Sequence, residues 1–305
     1  MTNIITTSAR IFKFKTIQQI QAMSRHSLRM DGASLRRLRP DAKKGAALHW
    51  SSRLHDHGVK AEDFEAMRDV EAAFKAHKKR HAIGETANGG LGIHLMVNVT
   101  SSFITDRGKL HDPSNEANQA LFAESMAFAR SVFGENSLYA ARMDLDETGG
   151  GVVDLFLTPA AIDGRGKKLK IATSKFLTAL RVKHGERMSY SALQTEWSDW
   201  CCNRLDPAFQ RGQRKAVTRA EHLGVEEYRQ ARALAQLDVD RMLDEAEEIR
   251  REAEAEASTS SQSTAMDYLI MTDTVAQDEA TLATIRLSLE QREDELKRKR
   301  LALEK

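Results

Sequence analysis

Residues 137–159, SLYAARMDLDETGGGVVDLFLTP, decide the fold of this chain. Two apolar runs of strand length stand on either side of three consecutive glycines, and the second run stops at Pro159. Short apolar runs bounded by Gly and Pro are typical of buried strands, and a glycine turn between two of them predicts a hairpin. We therefore expect two central antiparallel strands, at 137–146 and 152–159.

The surrounding sequence predicts further strands and amphipathic helices. Residues 9–16, ARIFKFKT, alternate apolar and basic side chains with period two, as in a half-buried first strand. Residues 93–104, IHLMVNVTSSFI, predict another strand. Apolar side chains at helical spacing predict helices at 17–29, 61–80, 114–133, 173–184 and 189–204, with a basic loop over 36–44. The fold class is thus α+β, an antiparallel sheet with helices.

Charge is distributed unevenly along the chain, although the net charge is only +2. Residues 1–60 contain twelve Lys/Arg and three acids, and residues 162–220 contain thirteen and five. Residues 221–257 reverse the balance, with five Arg and twelve acids. Basic surface on the body suits a polyanion such as DNA, because neutralising phosphates releases counterions. The alternative is a basic surface that merely keeps the protein soluble.

Composition argues against several classes of protein. No run approaches the ~18 apolar residues that span a bilayer, and the N-terminus lacks the pattern of a secretory signal. We therefore expect a cytoplasmic protein with no membrane partner. The two cysteines, Cys201 and Cys202, are neighbours in sequence, which argues against a disulfide framework or a cysteine zinc site.

A helical tail is expected beyond a globular part that ends near residue 220. Residues 225–257 are almost all strong helix formers, 258–264 form a polar break, and 276–305 return to a helical pattern. A narrow apolar stripe predicts a coiled-coil homodimer, and the alternative is a solvated single helix held by Glu/Arg pairs. The stripe consists of Leu234, Leu237, Leu243, Leu282, Ile285, Leu289 and Leu296.

Carboxylates can converge beside the glycine turn. Asp144 and Asp146 point to the same face of the first strand, Glu147 follows them, and Asp154 lies on the returning strand. A carboxylate set without His or Cys favours hard divalent cations, Mg²⁺ or Mn²⁺. The alternative is that these acids only solvate and shape the hairpin.

A second candidate stretch is Arg25-His26-Ser27-Leu28-Arg29. Adjacent Arg side chains stabilise neutral imidazole and attract phosphate, so His26 could act as a base, a nucleophile or a phosphate ligand. An exposed histidine without chemistry is the alternative. Basic residues here and in the following tract are expected to contact DNA: Arg25, Arg36, Arg37, Arg39, Lys43 and Lys44.

In the order and spacing of these features, residues 9–200 resemble the plasmid mobilisation/recombination (Pre/Mob, MobV-type) relaxases. That family carries His-x-x-Arg soon after an N-terminal strand, where this chain has His26 and Arg29. Far downstream the family has His-x-Asp-Glu-x-Thr-Pro-His-x-His, and this chain has DLDET at 144–148 and VVDLFLTP at 152–159. The metal histidines are absent: Asp144 stands at the first position, and Val152 and Asp154 stand at the other two.

The resemblance implies an HUH-relaxase-like domain at 9–205, a basic connector at 206–224 and the tail at 225–305. It implies plasmid mobilisation or recombination through binding of origin DNA, single-stranded or in a hairpin, and nicking of one strand by metal-assisted transesterification. His26 would be the nucleophile, Arg29 would position the phosphate and Glu147 would support catalysis. Asp144, Asp146 and Asp154 would hold the metal. The alternatives are a catalytically inactive DNA-binding homologue and a structural coiled-coil adaptor with a basic head.

Overall fold

The computed structural model describes residues 5–42, 45–85, 90–163 and 168–212, and in the tail residues 234, 237, 240–251, 281, 282, 284–286, 288 and 292. Its strands are β1 (Ile5–Phe14), β2 (Ala47–Ser51), β3 (Gly92–Val99), β4 (Leu138–Asp144), β5 (Val152–Leu157), β6 (Ala160–Ile162), β7 (Leu169–Ile171) and β8 (Phe209–Arg211). Its helices are α1 (Ile17–Ser27), α2 (Gly32–Arg37), α3 (Phe64–Arg68), α4 (Val70–Arg80), α5 (Ser102–Thr105), α6 (Glu116–Phe133), α7 (Thr173–Lys183) and α8 (Ser189–Arg204), with a short 3-10 helix at Ser52–His55.

Six strands form the main sheet in the order β2-β4-β5-β3-β1-β8. Its pairs are antiparallel except β1 with β8, which is parallel. Strands β4 and β5 lie in the interior, where their registers place Arg142 opposite Asp154. This pairing places Asp154 on an interior strand, next to the end of β4 where Asp144 lies.

Alternation along the strands gives the sheet an apolar surface on both faces. Leu155 and Leu157 belong to the larger core cluster, where Trp197 of α8 packs against Phe128 of α6 at 4.9 Å between ring centroids. Phe156 points to the other face, into a smaller cluster with side chains of α1 and α4. Helix α1, which carries His26, is therefore fixed against the sheet by its buried Ile20.

The predicted hairpin and the predicted α+β class are confirmed, since β4 and β5 pair antiparallel within a mostly antiparallel sheet. Five predicted elements also recur within a few residues of their expected bounds. They are the first strand and the helices α1, α6, α7 and α8.

Other elements differ from the prediction for identifiable reasons. The helix expected at 61–80 divides at Asp69, whose side chain caps α4 by accepting from the Ala72 N–H. The strand expected at 93–104 ends at Val99, and α5 follows. The expected basic loop begins inside α2, which Asp31 caps by accepting from the Ala33 and Ser34 N–H groups. Strands β2, β6, β7 and β8 span only three to five residues each, too few for periodicity to indicate them.

The chain divides into two units, Met1–Gly212 and Gln213–Lys305. In the second unit, residues 240–251 are helical, and Leu234 and Leu237 are 65% and 64% exposed. Leu289, Leu296 and the polar break at 258–264 lie outside the described residues, so the coiled coil and the dimer stay predictions. Within the described ranges, no helix combines the length and apolar character that crossing a membrane requires.

Candidate functional site

The end of α1 places His26 and Arg29 side by side. The helix closes with hydrogen bonds from the Arg29 N–H to the His26 carbonyl (3.1 Å) and from the Met30 N–H to the Arg25 carbonyl (2.8 Å), which is the Schellman arrangement. Arg29 takes the left-handed conformation, with φ 58°, that glycine usually provides at this position. The Arg29 side chain is fully buried.

Arg29 lies among three carboxylates from the end of β4 and the turn after it. Its Nη2 is 3.1 Å from Asp144 Oδ1. Its Nε and Nη2 donate to the two oxygens of Asp146, a bidentate pair with the Nε bond at 3.3 Å, and its Nη1 donates to Glu147. Asp146 is 0% exposed and also accepts from the Gly45 N–H at 2.7 Å. Both oxygens of Asp146 are thus engaged.

Two further buried arginines complete this network. Arg68 of α3 donates from Nη2 to Asp144 Oδ1 at 2.7 Å. Arg142 of β4 bridges two acids, since its Nε is 3.3 Å from Asp144 Oδ2 and 3.1 Å from Asp154 Oδ2. Asp154 also hydrogen-bonds to Nε2 of His94 at 2.7 Å. Each of the four acids therefore contacts at least one guanidinium.

His26 lies at the edge of the network. Its Nδ1 is 3.2 Å from Asp31 Oδ2, and its Nε2 is 3.8 Å from Glu147 Oε1. Burial lowers the pKa of His26, and nearby arginines, Arg142 foremost, lower it further against the opposing effect of Asp31. The imidazole is therefore mainly neutral at pH 7. The tautomer with its proton on Nδ1, the nitrogen that faces Asp31, leaves the Nε2 lone pair free.

The arginines also set the ionisation of the acids. Burial alone would raise the pKa of Asp144, but Arg142, Arg68 and Arg29 together outweigh it and lower that pKa. The pKa of Asp154 is lowered in the same way, by Arg142 and His94 against burial. Burial, and then the charge of Asp144, raise the pKa of Glu147. Asp144 and Asp154 are thus held as carboxylates.

The structure brings His26, Arg29, Asp144, Asp146, Glu147 and Asp154 into one network, although they are up to 128 positions apart in the sequence. The phosphate-positioning role expected of Arg29 disagrees with its position, because its buried guanidinium contacts carboxylates instead. The expected DNA-binding residues that the structure describes lie outside the network or at its rim. Arg25, Arg36 and Arg37 are exposed, Arg39 is half-buried, and Lys43 and Lys44 lie outside the described residues.

Four participants were not singled out from the sequence: Asp31, Arg68, His94 and Arg142. Strand alternation could have indicated Arg142, which is two residues before Asp144 and shares its face. Asp31 could have been read as the cap of a helix that starts with Gly32. For Arg68 and His94 no local pattern exists, because their contacts depend on the packing of α3 and on the register between β3 and β5.

The side chains expected to bind Mg²⁺ or Mn²⁺ do not fit a divalent metal as they are arranged. Such ions need several oxygens at about 2.0–2.6 Å, and here nitrogen atoms of Arg29 and Arg142 stand between the carboxylates. In the part of the chain that the structure describes, no group of three or more His, Cys, Asp or Glu side chains is placed to hold a metal ion.

Comparison with known proteins gives similarity in three-dimensional structure. No protein-family model and no curated protein matches the chain. The chain is similar to an Mn-bound crystal structure, at pH 4.6, of the MobM relaxase domain (MOBV; Mob_Pre) bound to 22-nucleotide oriT DNA of plasmid pMV158, with 15% identity and a TM-score of 0.50 over 74% of this chain and 99% of that chain. A second MobM structure, Mn-bound at pH 6.8 with a 3′ thiophosphate on the DNA, is 16% identical with a TM-score of 0.51, over 74% and 98%.

These identities are low, so the likeness concerns the fold. The structural likeness spans 99% of the relaxase domain and 74% of this chain. The resemblance drawn from the sequence is therefore confirmed in three dimensions: the chain has the fold of a MobV-type relaxase domain.

Proposed function

We propose that this chain is a member of the MobV relaxase group that binds plasmid origin DNA, as a single strand or a hairpin. The observation that carries the proposal is the fold, since 99% of a relaxase domain solved with oriT DNA is covered. The basic residues around His26 support it. Arg25 and Arg36 are exposed, and Arg37, which is 44% exposed, lies 3.9 Å from Glu147 at the rim of the acidic network. Cationic side chains in such a position suit a phosphate backbone.

We expect the triple variant Arg25→Gln, Arg36→Gln and Arg37→Gln to bind single-stranded DNA more weakly and with less salt dependence. Each lost phosphate contact lowers the slope of log K against log salt by ~0.7 on a single strand, so three lost contacts lower it by about 2. Fluorescence anisotropy measures this with the 22-nucleotide pMV158 oriT strand and a scrambled strand of equal length.

The matched control removes three exposed basic residues in and just after α7: Lys175→Gln, Arg181→Gln and Arg187→Gln. Helix α7 packs into the larger core cluster, whereas α1 packs into the smaller one, so this control changes charge equally on a different surface. Equal losses of affinity in the two triple variants would argue against a contact surface around His26. The absence of any binding at low salt would overturn the proposal.

A second candidate function, strand nicking, is favoured by one observation, the Nδ1 contact of His26 with Asp31. In this reaction His26 Nε2 attacks the phosphorus and forms a P–N bond, while the P–O bond to one strand end breaks. That end leaves as an alkoxide, which takes a proton from water to become a hydroxyl, and the phosphate-bearing end stays on the imidazole. The carboxylates do not fit a metal, so this reaction includes no metal-assisted step. The catalytic role that the resemblance implies for Glu147 is supported only by its position 3.8 Å from His26 Nε2.

Nicking predicts a covalent protein–DNA adduct on supercoiled plasmid that carries the DNA flanking this chain's coding sequence. His26→Gln should abolish the adduct. Tyr190→Phe is the control, because Tyr190 is 44% exposed and carries a hydroxyl that could attack phosphorus instead; this variant should preserve the adduct. Denaturing gels with labelled DNA, run with Mn²⁺ and with chelator, measure the adduct. If DNA binds but no adduct forms under either condition, the catalytically inactive DNA-binding homologue is the better description.

The remaining parts of the proposal follow the sequence. We place the protein in the cytoplasm, with a role in plasmid mobilisation or recombination, and extend the proposal to self-association through the tail. Light scattering on the full chain would give twice the chain mass of 34.2 kDa for a dimer. A dimer without DNA affinity would favour the coiled-coil adaptor instead.

A further inference from the structure

We propose that the Arg29 guanidinium fills the space among Asp144, Asp146 and Glu147 that a divalent cation bound by these carboxylates would need. In the native chain the carboxylates then take up no metal, and removal of Arg29 converts them into a divalent-cation site. The inference concerns metal binding by the free protein and does not rest on DNA binding or nicking.

The position of the guanidinium carries the first step. Its nitrogens contact oxygens of Asp144, Asp146 and Glu147, and the side chain is 0% exposed. These are three of the four acids that the sequence offers as ligands for a hard cation. A metal bound by these three carboxylates would have to occupy the space that the guanidinium fills. The native arrangement therefore excludes the ion sterically and by charge.

The backbone at Arg29 carries the second step. A φ of 58° at the residue after a helix end is where glycine is usual, and arginine pays a conformational cost there. Such a conformation persists when the surrounding structure holds it. The hydrogen bonds to Asp146 and Glu147 hold it here. The backbone conformation disfavours arginine at position 29, so the hydrogen bonds of its side chain to Asp146 and Glu147 are what account for an arginine there.

Charge carries the third step. At its centre the network pairs four acids, Asp144, Asp146, Glu147 and Asp154, with three buried arginines, Arg29, Arg68 and Arg142. Without Arg29, Arg68 and Arg142 still contact Asp144 and Asp154, but Asp146 loses both of its guanidinium contacts. The excess of negative charge is then two, the charge of one Mn²⁺ ion. Buried carboxylates that lack a partner favour such an ion strongly.

The decisive variant is Arg29→Gly, because glycine accepts this backbone conformation and removes only the side chain. Titration with Mn²⁺, followed by the electron paramagnetic resonance of free Mn²⁺, is made on the full native chain and on the variant. We expect no uptake by the native chain and one ion per variant chain. Melting temperature is a second readout: Mn²⁺ at about a hundredfold over its Kd should raise that of the variant by roughly 5–10 °C.

Two controls accompany the variant. Arg29→Lys keeps a positive charge in the network and should take up no Mn²⁺. Arg29→Gly combined with Asp146→Asn and Glu147→Gln removes ligands and should lose the uptake gained by Arg29→Gly alone. If Arg29→Gly folds only when Mn²⁺ is present, that result also supports the proposal.

Three outcomes would overturn it. The native chain could bind one Mn²⁺ per chain in a manner that Asp146→Asn abolishes. A folded Arg29→Gly chain could bind none. Arg29→Gly could also fail to fold with and without Mn²⁺, which would show that the ion does not replace the guanidinium. Each of these leaves the proposed DNA binding untouched, because that is measured separately with oligonucleotides in chelator.

Discussion

Asp146→Ala is expected to lower the free energy of unfolding by about 3–5 kcal/mol, because it leaves a buried guanidinium without its main partner. Asp146 is 0% exposed, and its two oxygens accept from Arg29 and from the Gly45 N–H. Loss of the carboxylate removes these bonds, and water cannot replace them at a fully buried position. Urea unfolding monitored by tryptophan fluorescence measures the change as a lower midpoint.

The matched control is Lys75→Ala on α4. Lys75 forms an ion pair with Glu71 at 2.6 Å, but its side chain is 64% exposed. Exposed pairs of this spacing contribute about 0.3–0.5 kcal/mol. If Asp146→Ala costs no more than Lys75→Ala, the network is not a buried one in solution, and the inference about Arg29 loses its basis.

His77→Phe is expected to remove part of the acid sensitivity of the fold. His77 is 1% exposed and packs its ring against His81 and Tyr139. Burial, and then the charge of His81, lower the pKa of His77 from 6.5 to about 4. The unfolded chain therefore binds a proton at His77 below about pH 6.5, while the folded chain does so only near pH 4. Proton uptake by the unfolded chain therefore lowers the free energy of unfolding progressively as pH falls below 6.5, by up to about 3 kcal/mol at pH 4.

The difference in unfolding free energy between the variant and the native chain isolates the contribution of His77 to the pH dependence of stability. The pKa values of His26, His81 and His111 are also lowered, chiefly by burial, so the native chain loses stability in this window through several groups. Urea unfolding at pH 7, 5.5 and 4 should show the difference growing in favour of the variant as pH falls. His77→Gln, which also cannot titrate, should follow the same trend. A difference that stays constant with pH would contradict the assignment.

Much of the fold could be predicted because its central part is encoded locally. The β4–β5 hairpin follows from two apolar runs around Gly149–Gly151, and α1 and α6 follow from helical spacing. Elements that depend on distant partners could not be predicted. Strand β2 is recognisable only through its pairing with β4, and β8 only through β1. That Asp69 separates two helices, α3 and α4, could also be seen only in the three-dimensional structure.

The candidate site shows the same division. Spacing and resemblance brought together His26, Asp144 and Glu147, because these residues stand at element ends that the sequence marks. The cations that neutralise the acids were missed. Arg68 has no local signature, the strand position of Arg142 was not used, and Arg29 was assigned to phosphate. A carboxylate cluster in a sequence predicts that a cation lies among the acids. Only the structure shows that the cation here is an arginine side chain.

Strand β8, only three residues long, has a consequence for how the protein is made. It pairs with the start of β1, so that Ile5 lies beside Phe209, more than two hundred residues later. During synthesis from the N-terminus, β1 emerges first. One of its edges pairs later with β3, and residues 5–7 on the other edge pair only when β8 has emerged. A ribosome-bound chain that ends before β8 carries an open strand edge, which another nascent chain or a chaperone can pair with. Folding of this unit is therefore completed only after almost all of its first 212 residues have left the ribosome.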